Sequence, residues 1–456
     1  MQLRRRLGVG TATSVVVANM IGTGIFTTTG LMLAQVESGG LVLLCWVVGG
    51  LIALCGALSY AELSTMMPRA GGEYVYLREI YGPASAFLTG WTSFFVGFSA
   101  PIAAAGVACS TYLVAAKVLP DSWLAQKATA VGIVLVLVAI HYRGVRLGAW
   151  VQNSLTALKL LLLAGLLVGG FALGQGSWEF LEPSSAFWAA GRWSQAGLIL
   201  LWVMFAYSGW NASTYLAEEV EQPARTLPRS LLLGTLLVLA IYLLVNLLFF
   251  FAAPMSALSG VIAVGDVATK GLFGAGAARW FSGLIALALL SSLSAYVFIG
   301  PRVYYAMARD GLFFRFAARL HPRFETPGLS IVAQGLWAIV LVLTGTFEQL
   351  LTYMGFALGI FPWLAVAGVL LLRRRDPGRE RPYRVWGYPL TPIFYLTAMT
   401  WILAVALFTA PGPSLVALFT ILAGIPAYHF TVGRKLAGGA GNPADNSWSS
   451  SHNRSQ

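Results

Sequence analysis

Two short stretches carry the residues with the most chemical potential. Gly22-Thr23-Gly24 lies in "VVVANMIGTGIFTTTG", and Ser208-Gly209 lies in "LLWVMFAYSGWNASTYLAEEV". Both fall inside runs apolar enough to cross a bilayer. Each glycine lowers helix propensity by about 1 kcal/mol relative to alanine, so each stretch predicts an interrupted helix. An interruption frees N–H groups at the start of one half-helix and C=O groups at the end of the other. The N–H end, with its partial positive charge, suits a carboxylate. The C=O end suits an ammonium or a metal cation. Two facing interruptions would hold both poles of a zwitterion without a charged side chain, and no acid lies close to either one; Glu218 and Glu219 stand downstream of the second. Lys159, in "QNSLTALKLLLLAGLL", is the other outlier. A lysine at the centre of a span costs about 2.5–3.5 kcal/mol on insertion scales, which marks it as functional by default. Its place about 15 Å into the helix by helical rise makes snorkelling to the interface strained.

The elements that must position these groups follow from composition. The chain has 456 residues, 58% hydrophobic and 10% charged, against roughly 25% charged in a soluble domain. Its mean hydropathy is +0.75. An all-α polytopic membrane protein is expected. Spans need about 20 apolar residues, and twelve transmembrane helices are predicted at 8–35, 39–66, 83–116, 124–140, 149–173, 194–219, 231–253, 277–308, 329–346, 349–372, 391–410 and 413–432. The net charge of +12 reads as basic loops rather than a nucleic-acid surface. Arginines cluster in the connections on one side, from Arg69 and Arg78 to Arg373–Arg375 and Arg379–Arg384. By the positive-inside rule that side is cytoplasmic, with both termini there: residues 1–7 at the start and a polar, disordered tail over 436–456. Arg4-Arg5-Arg6 before the first span resembles a signal-peptide n-region, but the apolar run is too long and lacks a small-residue cleavage site.

The two interruptions occupy the first spans of successive five-span blocks, 8–173 and 194–372, with 391–432 appended. Paired interrupted spans in corresponding positions point to a transporter site built on inverted repeats. An odd number of spans per block forces opposite topology.

"NMIGTGIF", "PRAGGEYVYLREIYGP", "FAYSGWNASTYLAEEVEQPARTLPRS" and "GPRVYYAMARDGLFF" together resemble the amino acid–polyamine–organocation superfamily, and more narrowly its L-type amino acid transporter branch in a bacterial form. The likeness covers residues 8–432. It implies a LeuT-type 5+5 inverted-repeat fold with broken helices 1 and 6, residence in the inner (plasma) membrane, and alternating-access transport of L-amino acids, often by exchange. It places the substrate carboxylate on the backbone of Gly22, Thr23 and Gly24 with the Thr23 hydroxyl. It places the amino group on carbonyls near Met20 and Ile21 and on those of Phe205, Ala206 and Ser208, beside Gly209. Phe205 becomes an aromatic gate, with simple packing as the plainer alternative. Lys159 takes the place of a sodium ion and bridges the first break to the eighth span, where Ser291, Ser292 and Ser294 offer hydroxyls; transport is then sodium-independent. A permanently charged Lys159 fits exchange and a titrating one fits proton coupling; the sequence leaves both open.

Tyr242 and Asn246, one turn apart, are expected either to hydrogen-bond the first break or to serve as ordinary interhelical glue. Glu62, Arg69, Arg78 and Asp310, with "EEVEQPARTLPR", form either inner-gate ion pairs or a solvated face. No cofactor and no metal cluster is implied; "GVGTATS" lacks the glycines and lysine of a phosphate loop. A pocket without an acid favours a small or medium neutral substrate of alanine, serine or cysteine size, with a cationic amino acid or polyamine permease as the rival. A membrane enzyme would need a His/acid pair at one face, and none is evident. Relatives with a covalent partner carry a cysteine between spans three and four. "KVLPDSWLAQK" has none, so no disulfide-linked subunit is expected. Cys45, Cys55 and Cys109 read as small buried hydrophobes.

Overall fold

A computed structural model describes residues 5, 7–69, 71–180 and 193–433. The expected tail at 436–456, and the arginines at 4 and 6, lie outside the described residues. Sixteen α-helices follow in order: α1 (Val9–Met20), α2 (Thr23–Val36), α3 (Gly39–Met66), α4 (Glu73–Tyr81), α5 (Pro83–Thr92), α6 (Ser99–Ala115), α7 (Trp123–Tyr142), α8 (Val145–Leu173), α9 (Trp193–Ala206), α10 (Pro223–Ala252), α11 (Met255–Leu258), α12 (Val264–Arg309), α13 (Gly328–Thr344), α14 (Phe347–Arg375), α15 (Leu390–Thr409) and α16 (Pro411–Tyr428). The β pairing among the described residues is an isolated parallel bridge between Leu7 and Val220. In lipid only intra-segment hydrogen bonding satisfies the backbone, which is why so apolar a chain becomes helix throughout.

Nine helices among the described residues are long and apolar enough to span a bilayer, and α1 with α2 makes a tenth as a pair bent by 42°. The sixth and ninth expected spans coincide with shorter apolar helices, Ser194–Ala206 and Gly328–Thr344. Local chemistry sets the ends. Ser38 and Ser122 cap α3 and α7 by accepting from the amides of Leu41 and Ala125, both at 3.3 Å. Thr346 and Gln349 form a reciprocal capping box at α14, and proline opens α5, α10 and α16, where a missing N–H costs nothing.

Three features depart from simple spans. α4 is a separate amphipathic helix between the second and third spans. The third span widens to a π-helix over Ser93–Phe98, just ahead of Pro101, whose ring and missing N–H disrupt the preceding turn. Within this wider turn the Ser93 carbonyl accepts from the Tyr304 hydroxyl at 3.1 Å and the Phe95 carbonyl from the Trp337 indole at 2.8 Å. In α12, Gly274 at φ +81° breaks the helix, so the eighth span is preceded by a distinct helical segment.

α9 packs against α2, α3, α14 and α15, and α12 against α6 and α8. The broken pair α1/α2 thus faces the end of α9, with α10 and α12 flanking it. Five crossings separate the start of α1 from the start of α9, so the two broken spans run in opposite directions.

Candidate functional site

α1 is closed by Ile21, whose amide reaches back to Val17 at 3.0 Å. α2 begins at Thr23 after Gly22 in extended geometry, without a side-chain cap. The first amides of α2 therefore point into the break unserved by any capping side chain, the arrangement that favours an anion. The second break is built by Gly209 at φ +97°, a left-handed conformation that glycine adopts without penalty. It separates α9 from a 3-10 stretch over Ala212–Glu219.

The two breaks touch. A Cβ on Gly24 would sit 2.5 Å from the Ala206 Cβ, and one on Gly209 would sit 3.1 Å from the Asn19 backbone. Both glycines are required by this approach. Met20, Ile21, Thr23, Gly24, Phe205 and Ala206 are buried, while Gly22, Ser208 and Gly209 keep some accessible surface deep inside the bundle.

The carbonyl ends are gathered by two side chains from other helices. Lys159, 2% exposed, donates to the Ile21 carbonyl at 2.5 Å and lies 3.3 Å from that of Ala18. The Tyr242 hydroxyl lies 2.5 Å from the Met20 carbonyl and 2.8 Å from that of Ala206, sharing its one proton between both breaks, with the Gly22 amide close by. Tyr242 thus ties the two breaks together rather than serving as generic glue. Asn246 does not reach the break: it accepts from Thr29 at 2.6 Å and donates to the Tyr242 carbonyl at 2.8 Å.

The three serines of α12 part company. The expected bridge from Lys159 to their hydroxyls is replaced by its bonds to α1. Ser291 meets Thr156 at 3.3 Å, one turn before Lys159. Ser294, one turn further along the same face, meets His141 of α7 at 2.9 Å. Ser292 is the one aimed at the break: its Oγ, buried and without a partner, is the nearest atom to a Cβ built on Gly22, at 3.6 Å. Sequence reasoning missed Tyr296, two residues beyond Ser294, whose hydroxyl faces Ser208. The tyrosine that follows three serines in "SSLSAYVF" was the available signal.

On the face that carries α4, Trp210 of the second break stacks edge-on against Tyr60 at 4.7 Å between centroids. Tyr60 in turn donates to the Glu73 carboxylate of α4. Burial pushes the Glu73 carboxyl up to about 7, against the hydrogen bond from Tyr60, which lowers it. The expected ion pairs regroup. Glu62 is clamped by Arg373 at 2.6 and 2.9 Å, accepts the Val385 amide at 2.8 Å, and has Arg381 at 3.4 Å. It pairs with neither Arg69 nor Arg78. Arg78 does pair with Asp310 at 3.3 Å, both half exposed.

With this geometry in view, comparison with known proteins is specific. A family model described as "Amino acid permease" matches residues 7–429. The chain is 30% identical over 441 residues to Asc-type amino acid transporter 1 of Mus musculus, covering 94% of this chain and 82% of that protein. It is 31% identical over 439 residues to Large neutral amino acids transporter small subunit 2 of Oryctolagus cuniculus, covering 94% and 81%. It is 32% identical over 393 residues to b(0,+)-type amino acid transporter 1 of Homo sapiens, covering 84% and 79%. The chain belongs to the amino acid permease family of the amino acid–polyamine–organocation superfamily, L-type branch: it is a multi-pass membrane transporter of amino acids, not an enzyme.

Proposed function

We propose that the protein exchanges small to medium neutral L-amino acids by alternating access, without sodium, across twelve spans whose arginine-rich face is cytoplasmic. The observation that carries this reading is the Lys159 ammonium seated on the carbonyls of Ala18 and Ile21. A fixed charge there neutralises the carbonyl end of α1 as a bound cation would. The open amides of α2 then receive the substrate carboxylate, with Ser292 and Tyr296 at its margin. Carbonyls have two lone pairs, so Met20, Ile21, Phe205 and Ala206 each keep one for the substrate ammonium after serving Tyr242, Lys159 and the Ser208 amide. Phe205 closes over the pocket as its gate. A substrate side chain meets Ser208, Gly209 and Gly22, which leave room for alanine-sized groups.

The protein acts without a disulfide-linked subunit. Its three cysteines lie within α3 and α6, and the connection between α6 and α7 has none.

Uptake of labelled alanine into proteoliposomes preloaded with unlabelled serine tests the reading. Uptake is expected to survive replacement of sodium by choline, to need internal amino acid, and to fall at least tenfold in Lys159→Ala with near-normal expression. Collapse in choline would remove the cation-substitute role. Competition by arginine or putrescine and none by alanine would move the substrate class to cationic compounds.

A further inference from the structure

A lipid-facing cleft separate from the substrate site runs between α7, α8 and the middle of α12. Gly132, Val136, Ile140, Val151, Leu155 and Leu290 line it, with Thr129 at one end; its volume is about 500 Å3 and no polar atom is exposed into it. α7 is the least buried of the long spans, so this cleft opens sideways toward hydrocarbon, not toward water. Along α7 it descends from mid-span to Ile140, three residues from Arg143. Along α8 it descends to Val151, five residues from Arg146. Both arginines are exposed and take part in no ion pair among the described residues. An apolar slot whose α7 and α8 walls lead, within three to five residues, to two exposed arginines without an ion partner among the described residues fits one ligand chemistry: an acyl chain continuous with an anionic head. Guanidinium groups bind phosphate in planar, bidentate fashion, and juxtamembrane basic residues attract anionic lipid.

We propose that this cleft is a binding site for an anionic glycerophospholipid, one acyl chain lying between α7 and α8 and the phosphate held by Arg143 and Arg146. The site bears on transport geometry. Leu155 and Leu290 flank Thr156 and Ser291, whose hydroxyls join α8 to α12 one turn from Lys159. The bound chain packs behind that joint and holds α8 at the spacing that lets Lys159 reach α1.

The test is native mass spectrometry of the full-length protein purified in mild detergent with equimolar phosphatidylglycerol and phosphatidylcholine of matched chains. Wild type is expected to retain phosphatidylglycerol at least fivefold over phosphatidylcholine. The double substitution R143Q/R146Q brings the two lipids to parity. Gly132→Leu, at a site where an added Cβ meets no atom within 4 Å, fills the cleft and lowers retention of both. Arg279→Gln, remote from the cleft, leaves the preference unchanged. Parity in wild type, a preference that survives the double substitution, or undiminished retention in Gly132→Leu overturns the proposal.

Discussion

Tyr242 shows how a single hydroxyl organises a site made of backbone. Both broken helices present carbonyl ends that water cannot reach, and the Tyr242 proton lies between Met20 and Ala206. Stranding a buried acceptor costs about 1–3 kcal/mol. Tyr242→Phe is therefore expected to lower the melting temperature by several degrees and to slow exchange about tenfold, read by scanning fluorimetry and proteoliposome counterflow; an unchanged melting curve would show that the carbonyls find other donors. Glu73 supplies the pH dependence. Its folded value near 7 lies above the ordinary carboxyl value of about 4.3, so the native state binds the proton more tightly. Stability from this group is complete below about pH 4 and is lost as pH rises from there through 7. Wild-type melting temperature should fall between about pH 4 and 7 and level off above that, and Glu73→Gln should flatten the slope. A slope equal in both proteins would assign it to another group.

At the scale of elements, close contact between α2 and α9 rests on absent side chains. The methyl of Gly24→Ala would fall 2.5 Å from the Ala206 Cβ, closer than atoms pack, and overpacking of this kind typically costs 1–3 kcal/mol. Gly24→Ala should abolish most exchange, and adding Ala206→Gly should restore a measurable part. Failure of the pair to recover any activity, with normal folding, would place the defect in the backbone of the break itself. Both breaks were legible because glycine interruptions recur in the first span of each five-span block, whereas single glycines such as Gly50 and Gly355 serve close packing. So was Lys159, since a charge there needs a partner. The partners were harder to read. Ser291, Ser292 and Ser294 look equivalent along the chain, yet each meets a different neighbour: Thr156, the first break and His141. Tyr242 and Asn246 share a face, and only the first reaches a break. The π-helix before Pro101 and the kink at Gly274 depend on packing against other spans, which periodicity does not report.

Across the whole molecule, charge divides the two faces. One carries Arg78, Arg373, Arg379 and Arg381 with the acids Glu62, Glu79 and Asp310 that they meet; the other carries Lys117 and Lys127. The arginine-rich side is expected to face the cytoplasm. A cysteine introduced at Lys117 should react with a membrane-impermeant maleimide in intact cells, and one at Gly378, where an added side chain meets nothing, should react only after permeabilisation. The reverse pattern would invert the orientation. Of the native thiols, Cys45 and Cys109 are buried and Cys55 is partly buried within α3, so Cys55→Ser is the background for both reporters.

On the arginine-rich face, the strand ahead of α1 and the chain just past the second break are joined by the amides of Leu7 and Glu221, which donate at 2.9 and 3.0 Å. Two such bonds contribute about 1–3 kcal/mol together, roughly a five- to hundredfold preference for these two segments staying joined. That is within reach of the energy a bound amino acid can redirect. On the alternating-access reading proposed above, the first and sixth spans are joined at these ends as well as at their breaks, so they are expected to move together rather than singly.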